Sequence, residues 1–183
     1  MNHFLLNKEK AALIIIDVQE RLVPAMNQKD PVTANCLHLI EAAKLLDLPV
    51  IVTEQYPKGL GQTIKEIRDA VSIYKPMDKT TFDCCKGEGF LQTLSDLDRP
   101  QLILAGMETH VCVLQTCLSL LQKGYTIHLV SDAVCSRKKT DYLSAKELMR
   151  DAGAVITCTE TVLFQLLEKA GTPAFKTISN RIK

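Results

Sequence analysis

Residues 11–17 read Ala-Ala-Leu-Ile-Ile-Ile-Asp, an uninterrupted aliphatic run that ends in a carboxylate. A run of this length without polar residues is typical of a strand that is covered on both faces, as in a parallel sheet. Lys10 precedes the run and Asp17 closes it. We therefore expect a buried central strand here, with Asp17 at its carboxyl end.

The sequence beyond this strand repeats the pattern. Strand-like segments cover 49–53, 101–105, 125–130 and 154–157, and helical patterns lie near 31–47, 62–70, 87–96, 109–123, 139–152 and 160–169. This alternation predicts βαβ units in an α/β fold, with a doubly wound, mostly parallel central sheet flanked by helices. Residues 55–61 and 75–89 are rich in Gly, Pro and charge and are predicted as loops. With 46% hydrophobic residues, the 183-residue chain is predicted to form a single domain over 1–183.

The charge balance and the cysteine usage limit the function classes. The chain has 22 basic and 21 acidic residues, a formal net charge of +1. That balance gives no field to attract phosphate backbones or anionic lipid, so a small molecule is predicted as the partner instead of nucleic acid or a membrane. The polar amino terminus does not resemble a secretory signal, and the seven cysteines form no disulfide framework. We expect reduced thiols and a cytoplasmic location.

In an open parallel sheet, ligands bind outside the carboxyl ends of the strands, where the strand order reverses. This rule selects Asp17, Glu54, the segment 106–112 and Asp132. Partial desolvation at such an edge would raise the pKa of Asp17 and suit it to act as a base. A helix cap or a loop anchor explains Asp17 equally well, and both interpretations stay open.

Cys112 is the most informative residue of this edge. When the predicted helix is projected at 100° per residue, Cys112 falls on the polar face. An apolar stripe runs along another face, with Cys117 beside it; its members are Val111, Leu114, Leu118 and Leu121. In the first helical turn, unpaired backbone amides and the helix dipole would stabilise a thiolate and an oxyanion. The alternative is that Cys112 is a small core residue, as most cysteines are.

The other polar and aromatic residues give weaker patterns. His110 and Cys112 are two positions apart, so they point to nearly opposite sides of a helix and a dyad is a minor possibility. Cys84 and Cys85 are predicted as loop cysteines near a helix start. The sequence has no metal-binding spacing and no glycine-rich phosphate loop, so neither a metal nor a cofactor is predicted. Three aromatic residues are candidates for a pocket wall, or for ordinary packing: Tyr56, Phe82 and Phe90.

Three segments, in this order, resemble motifs of the isochorismatase-like hydrolase family: Ile16-Asp17-Val18-Gln19, Lys79-Thr80-Thr81-Phe82-Asp83 and Gly106-Met107-Glu108-Thr109-His110-Val111-Cys112-Val113. The resemblance runs over nearly the whole chain and is greatest to the short isochorismatase domain-containing proteins. It implies a Rossmann-like three-layer sandwich. The stretch after the predicted second strand, Glu54-Gln55-Tyr56, lacks the histidines of the metal-binding nicotinamidase branch, which implies a site without a metal.

The resemblance also implies roles for individual residues. Asp17, Lys79 and Cys112 would form a triad in which the aspartate takes the thiol proton, the lysine stabilises the charged pair and the cysteine attacks a carbonyl carbon. The role of Lys79 rests on the resemblance alone. The Met107-Glu108 bond would be a cis peptide, and the backbone amides of Glu108 and Cys112 would form an oxyanion hole. Four residues are predicted to line the substrate pocket: Gln19, Tyr56, Phe82 and Thr109.

The leading hypothesis is therefore a cysteine hydrolase that cleaves C–N bonds of small-molecule amides through a thioester-like intermediate. A second hypothesis is a non-catalytic, oligomeric interaction module that keeps the hydrolase fold. The apolar stripes near 109–123 and 139–152 support it and predict a homo-oligomer. A third is a thiol redox sensor built on Cys84, Cys85 and Cys112.

Overall fold

The computed structural model describes residues 3–183, and a six-stranded sheet lies at its centre. The strands are β1 Ala11–Ile16, β2 Val50–Gln55, β3 Met77–Lys79, β4 Gln101–Met107, β5 Thr126–Cys135 and β6 Val155–Thr157. Their order in the sheet is β3-β2-β1-β4-β5-β6, and every neighbouring pair is parallel. The predicted α/β class with a parallel central sheet is confirmed.

Helices cover both faces of this sheet. In the described residues they are α1 Lys29–Leu45, α2 Pro57–Leu60, α3 Lys65–Ala70, α4 Phe90–Leu97, α5 Leu114–Gln122, α6 Lys139–Asp151, α7 Thr159–Leu167 and α8 Pro173–Arg181. Leu13 and Ile15 of β1 pack in one cluster with α1, α7 and α8, whereas Ile14 and Ile16 pack with α4, α5 and α6 on the other face. This is a three-layer sandwich. Within residues 3–183, no helix is long and apolar enough to span a bilayer.

The strand order reverses between β1 and β4, because the chain builds β2 and β3 on one side and β5 and β6 on the other. Gly106 pairs with Ile16 at this point and has a φ of 122°. A Cβ on Gly106 would lie 2.0 Å from the carbonyl oxygen of Ile16, so only glycine lets the two strands approach here. The crevice that the rule for open sheets selects thus lies between Asp17 and the segment after β4.

Several elements differ from the sequence prediction. β3 and a short 3-10 turn at Cys84–Lys86 lie within 75–89, which was predicted as loop. Helix α8 was not predicted, although Thr172 caps it by accepting a hydrogen bond from the Phe175 amide at 3.1 Å. Residues 109–113 form a π-helical turn, and the regular helix α5 begins only at Leu114.

Candidate active site

Asp17 lies where β1 ends, with a left-handed φ of 53° and no exposed surface. Its Oδ1 accepts a hydrogen bond from Thr53 Oγ1 at 2.7 Å, and its Oδ2 is 2.7 Å from Lys79 Nζ. Asn and Asp tolerate the left-handed region better than most residues, which suits an acidic residue at this turn. The buried carboxylate is therefore held by a hydroxyl and an ammonium group.

Lys79 is the last residue of β3, and the strand directs its side chain into the protein, where it is 2% exposed. Its Nζ donates to Asp17 Oδ2 and also to Gln55 Oε1 at 2.8 Å. Burial alone would lower the pKa of this ammonium group, but the charge of Asp17 and its hydrogen bond raise it, and the net pKa is raised. Lys79 is therefore a cation in the folded protein.

Gln55, at the end of β2, connects the ion pair to the thiol. Its Nε2 donates to the carbonyl oxygen of Thr80 at 2.8 Å, which orients the amide so that Oε1 faces Lys79. The Sγ of Cys112 lies 4.0 Å from the same Oε1. No role was predicted for Gln55 from the sequence, and its position at the carboxyl end of a buried strand is the signal that could have found it.

Cys112 lies in the π-helical turn Thr109–Val113 and is 5% exposed. Burial raises the pKa of its thiol well above the usual range, and the charge of Asp17 and a hydrogen bond to it raise the pKa further, whereas the charge of Lys79 lowers it in part. The expectation of a resting thiolate at a helix start was wrong. Cys112 is a neutral thiol next to an ion pair.

The predicted orientation of the helix was also wrong. Val113, Cys117 and Leu120 face the core, and the predicted apolar stripe is only partly buried. Both apolar sets have helical spacing, so the hydrophobic pattern does not decide between them, and the structure buries the set that lies beside the predicted stripe. Cys112 consequently packs in the core cluster instead of on a polar surface, although it still contacts the charged site.

The residues predicted from the resemblance lie in different surroundings. The Met107-Glu108 bond is cis, as predicted. The Glu108 side chain accepts hydrogen bonds from the backbone N and the Nε of Arg137 at 3.0 and 3.1 Å. Thr109 is fully buried, and its Oγ1 has no hydrogen-bond partner among the described residues. An oxyanion hole formed by the Glu108 and Cys112 amides stays a prediction.

The predicted pocket residues are not all directed toward a cavity. The Gln19 side chain is fully buried and bonds backbone atoms of Gln55 and Gly61. Tyr56 is 53% exposed and lines a cavity of about 480 Å³ next to Lys79. Phe82 is 52% exposed and is not a wall of that cavity. Phe90, the third aromatic candidate, is fully buried in the core, so ordinary packing explains it.

The other candidate residues are engaged elsewhere. His110 contacts Ser136 Oγ at 2.9 Å through Nδ1 and lies 3.7 Å from an Asp141 carboxylate oxygen. Cys84 is buried, with its Sγ 3.9 Å from Thr53 Oγ1, and burial raises the pKa of its thiol to about 11, with the charge of Asp17 contributing. The two remaining edge carboxylates, Glu54 and Asp132, bond Thr63 and Thr159 and have structural roles. Residues 3–183 contain no group of three or more His, Cys, Asp or Glu that could hold a metal ion.

A cis peptide, a π-helical turn with a cysteine and a buried Asp-Lys pair thus meet at the switch point of a parallel sheet. A family model described as the isochorismatase domain matches residues 11–161. This chain belongs to the isochorismatase family. It is 43% identical over 178 residues to the secreted isochorismatase effector Isc1 of Phytophthora sojae, covering 94% of this chain and 84% of that protein. It is 38% identical to isochorismatase domain-containing protein 2 of Danio rerio, covering 94% and 87%.

Solved structures of the isochorismatase fold superpose closely. The MAR1 ribonuclease of Caenorhabditis elegans has a TM-score of 0.91 and 37% identity, with 97% of this chain and 92% of that chain covered. YcaC of Pseudomonas aeruginosa, solved with hexane-2,5-diol and covalent acrylamide, also has a TM-score of 0.91, at 25% identity and with 97% and 91% covered. YcaC of Escherichia coli, described as an octameric hydrolase of unknown specificity, has the same TM-score and identity, with 97% and 90% covered.

Proposed function

We propose that this isochorismatase-family protein is a cysteine hydrolase that cleaves the C–N bond of small-molecule amides. One observation carries the proposal: Gln55 Oε1 accepts from Lys79 Nζ and also faces Cys112 Sγ, while Lys79 pairs with Asp17 at 2.7 Å. A base and a cation from two strand ends and a nucleophile from the π-helical turn after β4 therefore form one connected group. Such an arrangement is the geometric requirement for an activated cysteine.

The first step follows from the neutral state of the thiol. Because the pKa of Cys112 is raised, Asp17 takes the thiol proton as the sulfur bonds to the amide carbonyl carbon. The Lys79 ammonium group offsets the negative charge that passes from the carboxylate to the sulfur and the carbonyl oxygen. The predicted oxyanion hole, the backbone amides of Glu108 and Cys112, would hold that oxygen.

The remaining steps return the site to its starting state. The C–N bond breaks, the leaving nitrogen takes the proton from Asp17, and an amine departs from a Cys112 thioester. Water then attacks the thioester carbon and gives a proton to Asp17, which returns it to the sulfur as the C–S bond breaks. The products are an amine and a carboxylic acid, and no cofactor enters the balance.

Burial and the comparisons support a small carbonyl-type substrate. Cys112, Lys79 and Asp17 are all buried, so the site fits a compact molecule better than a polymer. YcaC of Pseudomonas aeruginosa holds covalent acrylamide, and we extend that reactivity to this chain. A cytoplasmic location is supported by seven free cysteines, although the Phytophthora sojae relative is named as secreted.

The test combines covalent labelling with turnover. We expect acrylamide to label Cys112 in the native protein, as located by mass spectrometry, and a panel of small amides to release amine. Cys112→Ala should lose both signals, and Cys158→Ala, which alters a surface thiol, should retain them. A short RNA is included because the Caenorhabditis elegans relative is named a ribonuclease. Absence of labelling and of amide turnover, or RNA cleavage that survives Cys112→Ala, would contradict the proposal.

A second candidate function, a non-catalytic oligomeric module, is favoured by one feature of α6. Leu143 and Leu148 on this helix are 38% and 55% exposed, more apolar surface than the sheet beneath requires. The octameric state of the Escherichia coli neighbour supports a homo-oligomer here as well. Light scattering that shows a single oligomer for the wild type and smaller species for Leu148→Glu would support the assembly. Absence of amide turnover in that assembly would favour the module.

A further inference from the structure

A second cavity lies on the other side of β4 from the Asp17-Lys79 pair. Its volume is about 620 Å³, which is in the range of small-molecule binding sites. Its walls come from residues around the start of α1, the end of β5 and the start of α6, and they include Ser131 and Ser136. Asp17, Lys79 and Cys112 are not among them. A ligand in this cavity would therefore meet a different set of side chains.

Ser136, which directly follows β5 in the wall of this cavity, contacts a histidine. Its Oγ lies 2.9 Å from His110 Nδ1. On the other side of the imidazole, His110 Nε2 lies 3.7 Å from Asp141 Oδ2. A carboxylate only accepts hydrogen bonds, so Asp141 favours the tautomer with the proton on Nε2, which leaves Nδ1 to accept from the Ser136 hydroxyl. A serine, a histidine and an aspartate thus follow one another away from the cavity.

Ser131 lines the same cavity and shows what distinguishes Ser136. The Oγ of Ser131 donates to the backbone carbonyl oxygen of Thr157 at 2.8 Å. A backbone carbonyl oxygen does not take a hydroxyl proton, whereas a neutral imidazole does. Of these two cavity serines, Ser136 has a base within hydrogen-bonding distance, and Ser131 has a carbonyl group.

His110 and Cys112 belong to the same π-helical turn but act on opposite sides of it. Cys112 contacts Asp17 on the β1 side, and His110 contacts Ser136 on the β5 side. Single π-helical turns are frequent at functional sites. This turn supplies one reactive side chain to each side of β4.

The start of α6 adds an electrostatic contribution to the same cavity. Lys139 begins this 13-residue helix and is a wall of the cavity, and the side chain of the N-cap residue Lys138 makes no capping hydrogen bond. The first backbone amides and the helix dipole favour negative charge, such as the charge that develops on a carbonyl oxygen under attack.

The charged side chains of the wall balance one another. Arg137 pairs with Glu108 at 3.1 Å, and Lys139 and Asp132 carry opposite charges. The cavity therefore favours an uncharged ligand.

We propose that Ser136 and His110 form a second catalytic site, which hydrolyses small, uncharged carboxylic esters in this cavity. Ser136 Oγ bonds to the ester carbonyl carbon while His110 Nδ1 takes the hydroxyl proton. The C–O bond to the leaving group breaks, and the departing alcohol takes that proton from His110, which leaves an acyl-serine. Asp141 orients the imidazole and is a positioning residue.

Water completes the cycle. It attacks the acyl carbon and gives a proton to His110, which returns the proton to Ser136 Oγ as the acyl-serine bond breaks. The products are a carboxylic acid and an alcohol, and the balance needs no cofactor. This activity is separate from the proposed amide hydrolysis at Cys112.

An alkyl fluorophosphonate tests the nucleophile, because its phosphorus atom bonds to an activated serine oxygen as fluoride leaves. Mass spectrometry of the folded wild type should show Ser136 labelled at least about tenfold faster than Ser131, because only Ser136 has the imidazole beside it. This comparison needs no substitution, so it does not depend on the folding of a variant. Equal labelling of the two serines, or labelling of neither, would overturn the inference.

Substitutions then test the histidine and the aspartate. His110→Ala should slow the labelling of Ser136 by about 10²- to 10⁴-fold, because the base is lost. Asp141→Asn should slow it less, since this carboxylate is partly exposed, and Asp141→Glu should restore part of the rate. Ser144→Ala, on the exposed face of α6, is the matched control and should leave the rate unchanged. An unchanged rate in a folded His110→Ala protein would reject the proposed base.

Turnover is measured with para-nitrophenyl acetate in the Cys112→Ala background, where this thiol cannot react with the ester. Adding Ser136→Ala should lower the release of nitrophenol at least about tenfold, and adding Ser144→Ala should not change it. Equal release with and without the Ser136 hydroxyl would overturn the inference. Absence of amide turnover in the wild type would contradict the proposed function alone, so the two failures are distinguishable.

Discussion

Cys112 and Cys117 lie in one continuous helical segment, and both are buried, at 5% and 0% exposure. Burial alone raises the pKa of Cys117 to about 12. The pKa of Cys112 is also raised by burial, but Asp17 raises it further and Lys79 lowers it in part. The difference between the two thiols is therefore their charged neighbours and not their depth. Both thiols are neutral, so a reaction at either sulfur needs a base to remove the thiol proton. Cys112 has the Asp17 carboxylate beside it, whereas burial alone acts on Cys117.

The largest predicted effect is a difference between two alanine substitutions: the one at Cys112 should affect turnover, and the one at Cys117 should affect stability. Cys112→Ala should abolish amide turnover, because it removes the nucleophile. Cys117→Ala should leave turnover within about twofold and lower the free energy of unfolding by about 1–2 kcal/mol, because it opens a small space in the core. Steady-state kinetics and urea unfolding check both. Equal loss of turnover in the two variants would remove the distinction between these thiols.

The next largest effect concerns the two charges beside Cys112. Asp17→Asn should lower turnover by about 10²- to 10⁴-fold because the base is lost. It should also lower the pKa of the Cys112 thiol, since the charge and the hydrogen bond of Asp17 both raise it. Lys79→Met should raise that pKa, because the lysine lowers it. The pH dependence of iodoacetamide alkylation, followed at Cys112 by mass spectrometry, measures both shifts.

Asparagine is a suitable replacement because it tolerates the left-handed φ of 53° at position 17. Each single variant leaves one buried charge unpaired and should lose about 3–5 kcal/mol of stability, so thermal melting must confirm that the protein is folded. The double variant Asp17→Asn/Lys79→Met removes both charges and should recover part of this loss. Shifts of the Cys112 pKa in the same direction for both single variants would contradict the electrostatic account.

The sequence predicted most of the sheet because its inner strands are continuous aliphatic runs. β3 was missed because it is a short edge strand, Met77–Lys79, with two charged residues in an apparent loop. Helix α8 was missed, although Thr172 and Pro173 carry the ordinary signals of a helix start. Polar residues are frequent in 173–181, so the hydrophobic periodicity was too weak to predict the helix.

The candidate site was predictable to a different extent. Asp17 was found from its place after a buried strand, whereas Lys79 came only from the family resemblance. Cys112 was singled out because it was projected onto the polar face of a helix, and that reason was wrong, since Cys112 packs in the core cluster. The structure brings all three together, but their catalytic roles stay predictions. The expected face of the helix was wrong because two neighbouring apolar sets share helical spacing, and the hydrophobic pattern does not show which of them packs on the sheet. Gln55 was missed because a neutral amide was not considered as a candidate, although its position at the carboxyl end of β2 was a usable signal.

Gln55 allows a smaller test of the same comparison, because it is a contact that Cys112 has and Cys117 lacks. Gln55→Leu removes the oxygen that accepts from Lys79 at 2.8 Å. A hydrogen bond to a charged group contributes about 1.5–3 kcal/mol, so kcat/KM should fall about 10- to 100-fold. Gln92→Leu, on the surface of α4, is the control with the same change and should behave as the wild type. A Gln55→Leu enzyme with unchanged kcat/KM would show that the ion pair needs no third partner.

The smallest predicted effect tests whether burial shifts the pKa of a side chain that has no oppositely charged neighbour, as it does for Cys117. His128 on β5 is 1% exposed, and its Nε2 has no hydrogen-bond partner among the described residues. Burial lowers its pKa from 6.5 to about 4. Between these values the unfolded chain binds a proton that the folded protein does not, so stability present above pH 6.5 is lost as the pH falls toward 4. Between pH 7 and 5.5 this loss should be about 1 kcal/mol, and His128→Leu should abolish it, as measured by urea unfolding at both pH values. An unchanged pH dependence in His128→Leu would mean that the imidazole has the same pKa in the folded and unfolded protein, which would contradict the effect of burial on this side chain.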